Sequence, residues 1–75
     1  MSASGTKVKA VEIVNLTWTG SSLVDVYRNG SKIASNVGGT SYSDNTGNKG
    51  AATFTHQVCV AGGTTTCSNV TTTVF

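Results

Sequence analysis

The sequence predicts an all-β domain, a seven-stranded antiparallel β-sandwich. Three observations carry this. Ser and Thr supply 22 of the 75 residues and Gly another 9, while good helix formers are scarce; Thr and Val favour pleated, half-buried surfaces. In VDVYRNGSKIAS, residues 24–35, apolar and polar positions alternate, break at Asn29-Gly30 and alternate again. Asn-Gly between alternating runs is a strong hairpin signal, because a type I′ turn needs positive φ at both central residues. Short runs of this kind recur at roughly 8- to 12-residue spacing between turn signals, the pattern of a sandwich.

The elements follow in order. Residues 7–14 (KVKAVEIV) read as an edge strand with Val8, Val11 and Ile13 as its apolar positions. Val8 and Val11 differ in parity, so a bulge or bend is expected between them. In the next run Leu16 and Trp18 alternate with Asn15, Thr17 and Thr19, before Gly20-Ser21-Ser22 turn the chain. In the hairpin a two-residue loop sets Arg28 opposite Ser31, Tyr27 opposite Lys32, Val26 opposite Ile33 and Asp25 opposite Ala34. Val24, Val26 and Ile33 then share the core face. Asp25, Tyr27 and Lys32 share the other, with Asp25 and Lys32 in reach of an ion pair across Tyr27.

Residues 36–52 are punctuated by Gly38, Gly39, Gly47 and Gly50. Only TSYSD (40–44) reads as a strand, with Tyr42 half-buried, and DNTGNKG (44–50) reads as loop. The clearest strand is TFTHQVCV (53–60), with Phe54, His56, Val58 and Val60 on one face and Thr53, Thr55, Gln57 and Cys59 on the other. AGGTTT turns the chain, and CSNVTTTVF (67–75) returns with Val70 and Val74 inward. The expected core anchors are Leu16, Trp18, Val24, Val26, Ile33, Phe54 and Val58.

Size and charge bound what this domain does. A chain of 75 residues buries only about 60% of its unfolded surface, so its core is thin and added restraints matter. With 37% hydrophobic and 11% charged residues it is not a disordered tail. The net charge is +2, and Lys7, Lys9, Arg28, Lys32 and Lys49 form no run longer than Lys-Val-Lys. Nucleic-acid binding needs clustered cations, so no nucleic-acid partner is expected. No stretch approaches the ~18–20 apolar residues of a membrane span, so no membrane partner is expected. The N-terminus lacks an apolar signal core. Residues 1–6 (MSASGT) read as a polar leader or an expression remnant, and 7–75 as the domain.

The two cysteines point to a disulfide. In a hairpin centred near Gly63, Cys59 lies opposite Cys67 and both fall on the outer face. Antiparallel partners in a non-hydrogen-bonded pair approach closely enough to be bridged. Zinc usually takes four ligands, and His56 lies on the opposite face from Cys59, so a metal site does not close. A redox motif is more often Cys-x-x-Cys at a helix start. A disulfide implies export, so the chain reads as an extracellular piece of a longer secreted protein.

Chemistry-bearing constellations are few. By parity His56 faces the core whereas Asp25 faces outward, so a nucleophile–His–Asp arrangement does not assemble. No Gly-x-Ser-x-Gly, phosphate-binding loop or His-Glu-x-x-His occurs, and Glu12, Asp25 and Asp44 lie far apart in sequence. Asp44, Thr46 and Asn48 have the alternate spacing of a calcium loop, but the later acidic ligand is missing. No cofactor is expected. Carbohydrate binding usually uses a flat row of exposed aromatics, and here Tyr27, Tyr42 and Phe75 are the candidates. Asp25, Tyr27, Arg28 and Lys32 form a possible contact patch. Three Asn-x-Ser/Thr sequons begin at Asn15, Asn29 and Asn69 and reflect the Asn and Thr content.

Together these residues resemble a fibronectin type III domain, an immunoglobulin-like sandwich. LTWT resembles its B strand with a buried Trp, VDVYRNGSKIA its C–C′ hairpin, TSYSD its E strand, and TFTHQVCV with TCSNVTTTVF its F–G pair. More narrowly, VDVYRNG, YSDNTGNKG, QVCVAG and TCSN are similar to the fibronectin-type domain at the C-terminal end of secreted bacterial subtilisin-like serine proteases. Comparable modules occur in secreted chitinases and other polysaccharide hydrolases. The resemblance covers residues 15–75. Two positions depart from it: Phe54 stands where such domains commonly carry the Tyr of a "tyrosine corner", and His56 stands at an inward position often aromatic in the bacterial modules. No Arg-Gly-Asp occurs.

The resemblance implies a non-catalytic, monomeric accessory module covalently linked to a secreted catalytic domain. It would act as a spacer, a stabiliser or a weak docking surface for protein substrate. A polysaccharide-engaging module of a hydrolase and a structural or adhesion module without an attached enzyme are the alternatives.

Overall fold

A computed structural model describes residues 1–20, 23–62 and 66–75. They form seven strands: β1 (Ser2–Val8), β2 (Val11–Thr17), β3 (Val24–Arg28), β4 (Ser31–Val37), β5 (Ser41–Asn45), β6 (Thr53–Val60) and β7 (Thr71–Val74). These make two antiparallel sheets, of order β1-β2-β5 and β4-β3-β6-β7. The apolar faces of the two sheets meet in one core of Val14, Leu16, Trp18, Val24, Val26 and Val58. All of the expected core anchors are buried except Ile33, which is half-buried and packs against this cluster. Tyr42 is half-buried, as expected.

The first hairpin differs from the expectation. Residues 2–6 belong to β1, which pairs with β2 from Ser2↔Thr17 to Val8↔Val11. The parity break at Val8 and Val11 is the turn between two strands, not a bulge. Lys9 (φ 51°) and Ala10 (φ 69°) both take positive φ, as a two-residue hairpin turn demands, without the Asn or Gly that normally marks one. On β2 the residues pointing inward are therefore Glu12, Val14 and Leu16, while Val11 and Ile13 are only half-buried.

The second hairpin turns at Asn29 (φ 52°) and Gly30 (φ 83°). Arg28↔Ser31 and Tyr27↔Lys32 hold as expected, but irregularities on either side of Val26 shift the rest, giving Val26↔Ala34 and Val24↔Val37. Asn29 also extends the β3–β6 ladder: its N–H donates to Thr55 O at 2.9 Å and its Oδ1 accepts Thr55 N–H at 2.9 Å.

A bulge decides the face of β7. Cys59 bridges to Cys67 and His56 pairs with Thr71, so three steps on β6 oppose four on the returning segment. One extra residue flips every following side chain to the other face. Val70 and Val74, expected inward, are therefore exposed, Val74 by 73%. Phe75 turns inward instead, edge-on to Phe54 with ring centroids 6.0 Å apart. Gly5 makes room for that ring: a Cβ there would lie 2.7 Å from Phe75 Cζ. Side chains patch the interrupted ladder. Ser68 Oγ accepts Val58 N–H at 3.1 Å and Gln57 Nε2 donates to Ser68 O at 2.9 Å. Val60, expected inward, is exposed. The turns expected at Ser21-Ser22 and Gly63 lie outside the described residues.

Candidate functional site

Three clusters of polar side chains are built into this frame, and each takes residues singled out in the sequence. The largest lies between the sheets. Asp44 shares the inward parity of Tyr42 on β5 and is 4% exposed. Its Oδ1 accepts from Arg28 Nη1 on β3 at 2.8 Å, and its Oδ2 meets His56 Nε2 on β6 at 2.7 Å. One carboxylate of the three-stranded sheet thus holds two residues of the four-stranded sheet. His56 is buried, as its parity predicts, and Asp44 rather than Asp25 is its acid partner. The period-two alternation in TSYSD carried this signal, because an inward Tyr42 requires an inward Asp44.

With Arg28 on one oxygen, Asp44 acts as acceptor toward both neighbours, and His56 donates from Nε2. The other ring nitrogen, Nδ1, is buried without a hydrogen-bond partner among the described residues. A histidine serving as general base needs a nucleophile's hydroxyl or thiol on that second nitrogen. Here the imidazole is oriented by an acid and, among the described residues, is joined to no nucleophile.

The second cluster surrounds Glu12, fully buried on the inner face of β2. Its Oε1 accepts Asn48 Nδ2 at 3.0 Å, and its main-chain O accepts Thr46 Oγ1 at 2.7 Å and Thr46 N–H at 3.1 Å. Its main-chain N–H donates to Asn48 O at 2.9 Å. The weak calcium candidate of Asp44, Thr46 and Asn48 is thereby divided. Asp44 turns to Arg28 and His56, whereas Thr46 and Asn48 tie the β5–β6 loop to β2.

The third cluster is the expected contact patch, and it changes composition. Arg28 has the parity of Val24 and Val26 and leaves the outer face for Asp44. Asp25 was expected to be solvent-facing, yet it is 2% exposed. The β3–β4 irregularity brings Asn36 (φ 53°) close enough for its N–H to donate to Asp25 Oδ1 at 3.2 Å. Lys32 Nζ reaches Oδ2 at 3.3 Å. The Asn36 N–H holds the Asp25 carboxyl below its usual value, desolvation opposes it, and Lys32 adds to the lowering. Lys32 Nζ also stands 6.0 Å from the centre of the Tyr27 ring, within cation–π range.

On the same face runs an open groove of about 520 Å³ lined by Tyr27, Thr55, Gln57, Val70 and the disulfide. Cys59 and Cys67 are bonded across their strands with Cα atoms 3.9 Å apart. Val60 N–H donates to Thr66 O and Ser68 N–H to Val58 O, which makes them the expected non-hydrogen-bonded pair. Comparison with protein-family models, curated proteins and solved structures finds no match to this chain.

Proposed function

We propose that the chain is a non-catalytic, fibronectin type III-like accessory module of a secreted protein. It resembles the domain that accompanies the catalytic domain of bacterial subtilisin-like proteases, and serves as a spacer, a stabiliser or a weak docking surface for protein substrate. The strand orders β1-β2-β5 and β4-β3-β6-β7 agree with a fibronectin-type A-B-E and C′-C-F-G arrangement. The disulfide agrees with an oxidising compartment.

One observation carries the reading: the ionisable groups that could do chemistry are used to hold the sheets together. Asp44 binds Arg28 and His56 across the core, while His56 Nδ1 meets no nucleophile among the described residues. Among the described residues Tyr27 is the one aromatic in the lining of the groove beside the disulfide, short of the flat row of aromatics that sugar binding usually uses, so protein is favoured over polysaccharide as a docking partner.

The test is retention of the chain on insoluble collagen, casein and chitin, with ester and peptide hydrolysis assayed in parallel. Retention on protein alone supports docking, and retention on none supports the spacer or stabiliser role. Binding confined to chitin, or hydrolysis lost in His56→Ala, overturns the reading.

A further inference from the structure

Asn29-Gly30 is the chain's one Asn-Gly step, and its side-chain environment suits a reaction as well as a turn. Both residues are exposed. A Cβ added to Gly30 would meet nothing within 4 Å, and among the described residues no hydrogen bond occupies the Gly30 N–H. Asn29 Oδ1 is held by two donors of one residue, Thr55 N–H at 2.9 Å and Thr55 Oγ1 at 3.4 Å. Donors fixed on a carbonyl oxygen stabilise the negative charge that develops there when a nucleophile adds to the carbon.

We propose that Asn29 is a self-modifying site, converted to aspartyl and isoaspartyl residues with Thr55 acting as a small oxyanion-stabilising element. Gly30 N attacks Asn29 Cγ, and a new C–N bond closes a five-membered succinimide. The Cγ–Nδ2 bond breaks, and Nδ2 leaves as ammonia carrying the proton lost from Gly30 N. Water then adds to either ring carbonyl and opens the ring. Opening at the main-chain carbonyl moves the backbone onto the side-chain carbon and leaves isoaspartate; opening at the other gives aspartate. No oxidant or reductant takes part.

The other asparagines lack this arrangement. Asn15, Asn36, Asn45, Asn48 and Asn69 precede Leu16, Val37, Thr46, Lys49 and Val70, whose side chains crowd the attacking nitrogen. At Asn29 the product matters to the fold. An aspartyl carboxylate can keep accepting from Thr55, whereas isoaspartate lengthens the main chain of a two-residue turn and disturbs the β3–β6 clamp.

The folded, oxidised chain is incubated at mildly alkaline pH, and the tryptic peptide Asn29–Lys32 is followed by mass spectrometry for exchange of amide for acid. The expected result is conversion at Asn29 ahead of every other Asn. Thr55→Val should convert roughly three- to tenfold more slowly, since one donor on the oxyanion is lost, and Thr55→Ser should restore the parent rate. Circular dichroism confirms that each variant is folded. Two results would overturn the proposal: an intact Asn29 in the folded chain while the urea-unfolded chain converts fully, or Thr55→Val reacting as fast as the parent.

Discussion

Asp44 and His56 meet at 2.7 Å between the two sheets, each almost fully buried. The pair sits at the centre of a bridge that Arg28 completes from β3. Replacing one member of a buried ionic group costs more than the group itself contributes, because the partners left behind lose their compensation. Asp44→Asn preserves shape but removes the charge facing a guanidinium and an imidazole. It should lower unfolding free energy by about 2–4 kcal/mol, read as an earlier urea midpoint. His56→Phe leaves Asp44 to Arg28 and should cost less. Equal midpoints for the parent and Asp44→Asn would show that the bridge adds nothing to the fold.

Asp25 gives the stability a pH dependence of known sign. Its carboxyl is held below the ordinary 3.8, chiefly by the Asn36 N–H. A group whose folded value is depressed stabilises the fold when ionised. That contribution is fully present above the unfolded value and disappears as pH falls through the lower, folded value. Stability of the parent minus that of Asp25→Asn should therefore be positive and flat at neutral pH, and shrink below pH 3.8. A difference that is unchanged into stronger acid would contradict the hydrogen bonds assigned to this carboxylate.

The bulge between Cys67 and Thr71 predicts an inverted pattern of sensitivity on the last strand. Val74 is exposed and Phe75 packs on Phe54. Val74→Ser should change stability by less than about 0.5 kcal/mol, as surface substitutions do. Phe75→Ala should cost about 1–3 kcal/mol, below the range for a fully buried ring. Gly5→Ala should also destabilise, because its new methyl meets the Phe75 ring. If Val74→Ser proved the more damaging of the two end substitutions, β7 would have the uninterrupted register instead.

These residues also show how much was legible beforehand. The strands from β3 onward, the Asn29-Gly30 turn and the disulfide could all be read, because each is set by local alternation or by one pair of residues. What could not be read are events where one residue changes the parity. Lys9-Ala10 turns the chain without a turn signal, so local pattern gives no sign of strand over residues 2–6 or of an inward Glu12. The bulge before Thr71 exchanged the faces of Val74 and Phe75. The Asp44–His56 contact is different in kind. Both inward positions were visible in the alternation, but their proximity depends on which strands the two sheets set against each other, and no local pattern specifies that.

The Cys59–Cys67 bond closes a loop of about nine residues in a domain with a thin core. On the chain-entropy model such a loop restrains the unfolded chain by roughly 2–3 kcal/mol. For a domain of this size that corresponds to a melting temperature lower by roughly 10–20 °C after reduction. Cys59 is 3% exposed and bonded next to the bulge. The double variant Cys59→Ala/Cys67→Ala should match the reduced parent to within a few degrees, showing that the loss comes from the cross-link rather than from the reductant. The β6–β7 end should loosen first, because the ladder there rests on Ser68 and Gln57 side chains. Hydrogen exchange at Val58 and Val60 should accelerate on reduction before that at Val26 in the central strand. Uniform acceleration across β3 and β6 would instead mean that the disulfide acts on global stability alone.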